Sequence, residues 1–290
     1  MKVSLYPGCS LAGLAKSYLE SAEAVSKKLG VELQELKDWT CCGASSAHVT
    51  NDKLAISLAA RNLGIADRAG MDLVVPCAAC FHRLKTADKH LRQGKPVVGM
   101  DNKYKGDFNI KSLPNFFWED VGEKGFTDKI KNPLKALNPV CYYGCLTLRP
   151  PEITDARNPE DPQEMDNILR SLGANVKDWS FKADCCGGSL TLTRPDLHMK
   201  LTQKILDMAL EAGADCIAVA CPMCHENLDS KQAEISAEAG KPYNIPIFYF
   251  TELIGLAFGD PSVEKWLSRH VVDPRPLLAE KSLLQVQVRS

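Results

Sequence analysis

The stretch Cys41-Cys42-Gly43 is followed by Cys77-Ala-Ala-Cys80, and the same arrangement returns as Cys185-Cys186-Gly187 followed by Cys221-Pro-Met-Cys224. In both copies, 34 residues separate the cysteine pair from the Cys-x-x-Cys element. Aligning the halves at an offset of 144 superimposes all of these residues. A spacing that recurs in this way indicates an internally duplicated chain.

One further cysteine precedes each pair. Cys9 ends the segment Leu5-Tyr6-Pro7-Gly8-Cys9, and Cys145 ends the similar segment Cys141-Tyr142-Tyr143-Gly144-Cys145. The spacer to the cysteine pair is 31 residues in the first copy and 39 in the second. Ten of the twelve cysteines thus share one repeated pattern, and Cys141 and Cys216, which lie outside it, are predicted to be core residues.

The composition is that of an ordinary folded protein. Of the 290 residues, 45% are apolar and 24% are charged, and the net charge is −1, so nothing favours a nucleic acid or an anionic membrane as a partner. No apolar run approaches the roughly 20 residues that span a bilayer, and the first residues do not resemble a signal peptide. We therefore expect a cytoplasmic protein whose cysteines are metal ligands or catalytic groups rather than disulfides.

Strand and helix patterns alternate in both halves, which predicts an α/β fold of two duplicated Rossmann-like lobes with parallel sheets, related by pseudo-symmetry. The predicted strands are Val3–Tyr6, Val31–Leu36, Leu73–Val75, Val140–Tyr143, Asn175–Trp179 and Cys216–Ala220. The predicted helices are Leu14–Leu29, Lys53–Ala69, Pro162–Leu172 and Asp196–Ala212.

We place the boundary between two domains near Lys131-Asn132-Pro133. The N-terminal domain is then 1–131, and the C-terminal domain is 132–290 with an extended tail. The proline-rich stretch from Arg149 to Pro162 is interpreted as a surface loop inserted in the second repeat.

Four cysteines lie just past the carboxyl ends of predicted strands: Cys9, Cys77, Cys145 and Cys221. Open α/β sheets bind ligands at that edge, so the cysteines of each half should converge there. The glycines that follow each pair (Gly43, and Gly187 with Gly188) would let the backbone approach a bound group closely.

The number of thiols favours a polynuclear metal–sulfur site. Zinc takes four ligands, usually from two Cys-x-x-Cys pairs or from cysteine and histidine together. Each repeat instead offers five thiols, two of them adjacent in sequence with diverging side chains. Such a set suits a cluster of several irons, although zinc in one of the sites and purely structural cysteines remain alternatives.

The pattern resembles the cysteine-rich CCG domain, present in two copies as in the B subunit of heterodisulfide reductase. The resemblance rests on Tyr6-Pro7-Gly8-Cys9, on Tyr143-Gly144-Cys145 through Glu152, and on both Cys-Cys-Gly and Cys-x-x-Cys elements. One departure is Gly43, where methanogen enzymes of this type carry proline. That difference favours an acceptor other than the methanogen coenzyme heterodisulfide.

The resemblance implies two non-cubane [4Fe–4S] clusters, each held by five cysteines. One set would be Cys9, Cys41, Cys42, Cys77 and Cys80, and the other Cys145, Cys185, Cys186, Cys221 and Cys224. The clusters would face one cavity where a small-molecule disulfide, such as a coenzyme M–coenzyme B heterodisulfide or a related one, is reduced. The implied partners are a ferredoxin-like iron–sulfur subunit and an FAD flavoprotein subunit, through which the complex could associate with a membrane.

Two rival functions stay open. The chain could be an electron-transfer subunit that links a succinate-, lactate- or glycolate-type dehydrogenase to a quinone or thiol pool, or a zinc-filled module that only docks partners. Proton donors or anion anchors could come from His48, His82, His225, Arg149 and Arg194. For the histidines the simpler expectation is solvated residues at helix ends, and for the arginines a surface position is as good an interpretation.

Overall fold

The computed structural model describes residues 1–44, 47–99 and 104–284. The strands of these residues are β1 (Lys2–Leu5), β2 (Glu32–Glu35), β3 (Leu73–Val75), β4 (Ile110–Ser112), β5 (Pro139–Tyr142), β6 (Cys216–Val219) and β7 (Ile247–Tyr249). The helices in the first half are α1 (Gly8–Ala12), α2 (Lys16–Lys28), α3 (Ala47–Thr50), α4 (Asp52–Ala69), α5 (Ala78–Arg92), α6 (Leu113–Phe116) and α7 (Gly122–Thr127). Those in the second half are α8 (Pro151–Thr154), α9 (Glu164–Ser171), α10 (Pro195–Glu211), α11 (Pro222–Ser230), α12 (Gln232–Ala239), α13 (Phe250–Ala257), α14 (Val263–Leu267) and α15 (Arg275–Glu280). A π-helical turn (Phe117–Val121) joins α6 to α7, and a 3₁₀ turn (Gly188–Leu190) precedes α10.

Two parallel sheets confirm the predicted α/β class and its duplication. The first sheet has the order β2-β1-β3-β4, and the second has β5-β6-β7. All pairings are parallel, with Leu5 opposite Glu35 and Val74 in the first sheet, and Tyr142 opposite Val219 in the second. The strands β5, β6 and β7 therefore correspond to β1, β3 and β4.

The predicted strand Asn175–Trp179 is wrong. This segment runs beside β5, where the Asn175 and Lys177 amides donate to the carbonyls of Leu137 (3.0 Å) and Pro139 (2.8 Å). The Trp179 indole then turns inward and donates to the Cys141 carbonyl (2.9 Å). With only these two backbone bonds to the β5 edge, the segment is irregular. The equivalent segment of the first lobe forms β2.

The other predicted strands and helices are present, with ends shifted by about one to two residues. α4 begins at an Asn51 cap, whose side chain accepts from the Leu54 amide (3.0 Å), and ends at Gly70 in the left-handed conformation. The predicted extended tail is partly helical, since α15 places a fully buried Leu278 on the molecule.

One helix of each lobe, α2 in the first and α9 in the second, packs mainly against the other lobe, so the lobes exchange helices. α2 of the first half packs against α13 and α14 of the second, and α9 of the second packs against α6 and α7 of the first. The Ser21 and Thr251 hydroxyls share a buried hydrogen bond (2.6 Å), and the Tyr18 hydroxyl donates to the Ala220 carbonyl (3.1 Å). This reciprocal exchange joins the apolar interiors into one continuous core.

Within the described part of the chain, no helix combines the length and the apolar character needed to cross a bilayer. The longest, α4, has 18 residues and is amphipathic, with six of them buried.

Candidate metal centre

The cysteines lie where strands end and helices begin, at the sheet edge that the sequence predicts for them. Cys9 lies in α1 directly after β1, and Cys77 ends the link from β3 into α5, which carries Cys80 in its first turn. In the second lobe Cys221 stands at the same place before α11, whose first turn carries Cys224. The ten patterned cysteines thereby gather into two pockets, one in each lobe.

The first pocket brings the thiols of one repeat together. The sulfurs of Cys42 and Cys80 are 3.3 Å apart, and those of Cys9 and Cys41 are 4.0 Å apart. Cys77 contacts Cys80 within the same turn of α5. All five cysteines are free thiols. The Gly43 amide donates to the Cys41 sulfur (3.4 Å), which holds that side chain toward the pocket.

The second pocket repeats this arrangement. The sulfurs of Cys186 and Cys224 are 3.8 Å apart, and Cys145 lies close enough to Cys185 for each thiol to shift the pKa of the other. The Gly187 amide donates to the Cys185 sulfur (3.3 Å). Here the side-chain amide of Asn227, a residue of α11, also donates to the Cys186 sulfur (3.3 Å).

Two equivalent tyrosines position the loops that carry the cysteine pairs. The Tyr6 hydroxyl donates to the Thr40 carbonyl, and the Tyr142 hydroxyl donates to the Asp184 carbonyl, both at 2.6 Å. Thr40 and Asp184 each come directly before a cysteine pair. The aromatic ring of each tyrosine also packs against a tryptophan (ring centroids 5.6 and 6.2 Å apart), which fixes its direction.

The closest glycine approach to sulfur occurs at Gly8 and Gly144, which sequence reasoning did not single out. Both have positive φ (+69° and +70°). A Cβ on Gly8 would lie 2.8 Å from the Cys80 sulfur, and one on Gly144 would lie 3.0 Å from the Cys224 sulfur. The signal in the sequence was the Gly-Cys dipeptide shared by both halves.

Gly43 and Gly187 have a different role from the predicted one. Their positive φ values (+77° and +75°) turn the chain after each cysteine pair, and an added Cβ would meet atoms of neighbouring helices instead of sulfur. Gly188 fits the prediction only in part, because its Cβ would lie 2.7 Å from the Asn227 amide nitrogen and 3.6 Å from the Cys186 sulfur.

The two pockets touch each other. Cys77 of the first lobe lies close enough to Cys221 of the second for each thiol to shift the pKa of the other, and both are buried at the lobe interface. Tyr18, on α2, lies near both thiols: burial raises the pKa of its hydroxyl, and the charges of Cys221 and Cys77 raise it further. The two pockets therefore meet at the first cysteine of each Cys-x-x-Cys element.

A cavity of about 190 Å³ opens beside the second pocket and is lined by both lobes. The first lobe contributes His48 and Arg83. The second contributes Tyr143 and all five of its patterned cysteines. The Nδ1 atom of His48 is buried without a hydrogen-bond partner among the described residues, so it is available to a ligand.

The thiols of each pocket differ strongly in acidity. The hydrogen bond with Cys80 lowers the pKa of Cys42 to about 7, and the one with Cys145 lowers the pKa of Cys185 to about 6. The same two bonds raise the pKa of Cys80 and Cys145. Five thiols so close together resist full ionisation, and bound cations would relieve that repulsion.

These observations fit a metal–sulfur group. The donor set is entirely sulfur, none of its thiols is lost to a disulfide, and glycines stand where a side chain would crowd the sulfurs. The residues that could hold such groups are the ten patterned cysteines. Cys141 and Cys216 point elsewhere, since both are fully buried in β5 and β6, as predicted.

The other residues that the sequence offered as proton donors or anion anchors lie in different environments. Arg149 pairs with Glu160 and Arg194 with Asp196, all four at the surface. His225 is not solvated, which corrects that expectation: it is buried, and burial lowers its pKa well below the usual value. His82 is half-buried, and burial lowers its pKa as well.

Comparison with known proteins gives relatives over nearly the whole chain. The 8-methylmenaquinol:fumarate reductase membrane anchor subunit of Wolinella succinogenes is 29% identical over 94% of this chain and 98% of its own. The B subunit of the ferredoxin:CoB-CoM heterodisulfide reductase of Methanosarcina mazei is 26% identical over 96% of both chains. A protein of Archaeoglobus profundus that is described as similar to the heterodisulfide reductase B subunit is also 26% identical, over 90% of this chain and 92% of its own.

A solved structure supports the fold. The crystal structure of a hypothetical protein from Helicobacter pylori superimposes with a TM-score of 0.71 at 13% identity, over 94% of this chain. This chain covers 52% of that structure, and the likeness concerns the fold alone.

The family model described as the cysteine-rich domain CCG matches residues 3–85 and 140–229, more than half of the chain. The two matches fall one in each lobe and include all ten patterned cysteines, while β4 and β7 lie beyond them. The chain therefore belongs to the CCG cysteine-rich domain family and contains two copies of the domain.

Proposed function

We propose that this chain is the disulfide-reducing iron–sulfur subunit of a heterodisulfide reductase-type complex, an oxidoreductase acting on a sulfur group. The observation that carries the proposal is the meeting of two all-cysteine pockets at Cys77 and Cys221, beside a cavity lined by both lobes. The full-length similarity to heterodisulfide reductase B subunits supports it.

The ligands we propose are the two sets of five cysteines, each holding one [4Fe–4S] cluster of non-cubane form. When bound, these groups supply single electrons and iron sites that attract sulfur. The chain itself supplies the cage: Tyr6 and Tyr142 hold the cysteine-pair loops, and Gly8 and Gly144 leave room next to the sulfurs.

The cavity residues would bind and orient the substrate. Arg83 lines the cavity and lies near enough to Cys42 to help lower its pKa, so it places positive charge between the two pockets. His48 offers an unpaired ring nitrogen there. This pairing favours a small organic disulfide with an acidic group, which Arg83 would anchor.

Reduction of such a disulfide breaks one S–S bond, consumes two electrons and two protons, and releases two thiols. The electrons would come from a ferredoxin-like iron–sulfur partner, itself supplied by an FAD flavoprotein subunit. Such partners would also provide any attachment to a membrane. The domain boundary near residue 131 is part of this proposal, since it assigns one pocket to each domain.

The test removes one cysteine from each pocket. Cys42→Ser and Cys186→Ser should each lower disulfide reduction by at least 100-fold, because each takes away a proposed ligand of one pocket. Iron should fall by about half in each variant, since the opposite pocket stays filled. Cys216→Ser, a change at a buried cysteine outside both pockets, is the matched control and should keep its iron. Full activity in either pocket variant would refute the proposal.

A second candidate is supported by the fumarate reductase relative, which is 29% identical to this chain over 98% of its own length. In that case the subunit would pass electrons between a quinone pool and a dehydrogenase of the succinate, lactate or glycolate type. Purification of the native complex separates the two functions. Oxidation of a reduced quinone analogue without disulfide reduction would support this candidate against the first.

A further inference from the structure

We propose that His225, Asp229 and His270, named here the histidine–aspartate cluster, bind a divalent metal ion of the first transition row, with zinc as the expected occupant. One ring nitrogen of each histidine and one carboxylate oxygen of Asp229 lie within 4.8 Å of one another. This proposal does not depend on the proposed function, because no patterned cysteine takes part.

Two ring nitrogens of the cluster lack partners. Nε2 of His225 and Nδ1 of His270 are both buried and form no hydrogen bond with the described residues. The His225 residue is 7% exposed, and the His270 side chain is 0% exposed. Buried polar atoms are normally paired, so two orphaned nitrogens beside one carboxylate indicate a missing ligand between them.

A neighbouring residue already holds each side chain of the cluster in position. The second ring nitrogen of His270, Nε2, contacts the Glu252 carboxylate (3.1 Å). The Asp229 carboxylate accepts from the amides of Val271 (2.7 Å) and Val272 (3.0 Å). The His225 ring stacks on Tyr249 with centroids 4.2 Å apart. A carboxylate behind a ligating histidine is the usual outer layer of a metal site, where it fixes the tautomer and strengthens the ligand.

The donor set suits zinc. Two imidazoles and one carboxylate bind zinc with bonds of about 2.0–2.2 Å and leave a fourth position for water. Ligand atoms around such an ion lie roughly 3.4 Å apart by the same bond lengths. The ligand atoms, which lie within 4.8 Å of one another, would therefore move closer by up to about 1.4 Å on binding the ion.

The cluster belongs to the second lobe alone. At the offset of 144 that relates the Cys-x-x-Cys elements, His225 corresponds to Phe81 and Asp229 to Lys85. Phe81 is buried, and Lys85 forms an ion pair with Asp155 (2.5 Å). The first lobe thus fills the equivalent positions without a metal ligand, which separates this site from the duplicated cysteine pattern.

The position of the cluster suggests what the ion does. His225 and Asp229 lie one turn apart on α11, directly after Cys224, and His270 comes from the segment after α14. A cavity of about 260 Å³, lined by His225 and Asp229, gives access from outside. The ion would fasten the C-terminal segment to the helix that carries the second Cys-x-x-Cys element.

The test titrates Co²⁺ into the full-length protein after its clusters are loaded and loosely bound metal is removed by a chelator. We expect one Co²⁺ per chain with visible d–d bands and without the charge-transfer bands of a thiolate ligand. Asp229→Asn and His270→Gln should weaken this binding at least tenfold while the iron content stays unchanged. His90→Gln, which removes a histidine outside the cluster, is the control and should bind Co²⁺ normally.

Three results would overturn the proposal: no cobalt bands, thiolate charge-transfer bands alone, or unchanged binding in Asp229→Asn. Should His270→Gln fail to fold, the unmodified protein still decides the matter, because zinc must raise its melting temperature and must not raise that of Asp229→Asn. Loss of iron or of disulfide reduction in the pocket variants would bear on the proposed function and leave this test untouched.

Discussion

At the scale of single residues, the two pockets depend on side chains other than the cysteines. Tyr6 and Tyr142 each bind the carbonyl that precedes a cysteine pair, and Gly8 and Gly144 each leave a gap against a sulfur. Both features occur in equivalent positions of the two lobes. The sequence already showed the shared Gly-Cys dipeptides, but the contact of Tyr6, directly after β1, with a loop 34 residues later depends on the folded chain.

Gly8→Ala should prevent the first pocket from holding its iron. The new methyl group would lie 2.8 Å from the Cys80 sulfur, at a positive φ that disfavours alanine. Iron bound per chain should fall by about half. Gly30→Ala is a matched control, because Gly30 also has positive φ (+74°) but has open space around its Cβ position. It should keep its iron and lose only about 1–2 kcal/mol of stability, the cost of a Cβ in the left-handed region. Equal iron content in both variants would contradict this role of Gly8.

At the scale of elements, the alternation of strands and helices was predictable because β and α periods differ clearly in the sequence. The predicted strand Asn175–Trp179 failed because only two of its backbone amides bond beside β5, and the Trp179 indole takes the Cys141 carbonyl. The helices α5 and α11 after each Cys-x-x-Cys element were not predicted. Each of these helices begins at a cysteine, Cys77 or Cys221, where the usual Ser, Thr, Asp or Asn cap that marks a helix start is absent.

A buried ion pair holds the second-lobe loop in place. Lys182 and Asp166 (2.9 Å) have side chains that are 3% and 0% exposed, and the Lys182 carbonyl accepts from the Tyr143 and Gly144 amides. Lys182→Met should lower the free energy of unfolding by about 3 kcal/mol, because the buried Asp166 carboxylate loses its nearer cation and keeps only Arg170 at 3.9 Å.

Denaturant unfolding measures this change. The double variant Lys182→Met/Asp166→Asn should recover part of the lost stability, since the buried charge is then gone as well. Lys241→Met, which breaks an exposed pair with Asp207, should leave the unfolding midpoint nearly unchanged. A Lys182→Met midpoint equal to that of Lys241→Met would show that the buried pair contributes little.

At the scale of the whole molecule, the exchange of α2 and α9 between lobes brings the two pockets together. Sequence reasoning placed the cysteines at one edge of each sheet, and that edge is where they lie. It could not place Cys77 against Cys221, nor His48 and Arg83 beside the second-lobe thiols, because those contacts join residues that are far apart along the chain. The histidine–aspartate cluster escaped notice for the same reason, with His270 coming from beyond the repeat.

The central claim is that each lobe holds one iron–sulfur cluster on its own five cysteines. The most direct measurement is iron, sulfide and zinc content per chain, with EPR of the oxidised protein, on material purified without oxygen. We expect two four-iron equivalents with matching sulfide, and any zinc to be lost in Asp229→Asn. One four-iron cluster together with zinc that persists in Asp229→Asn, or zinc without iron, would contradict the claim.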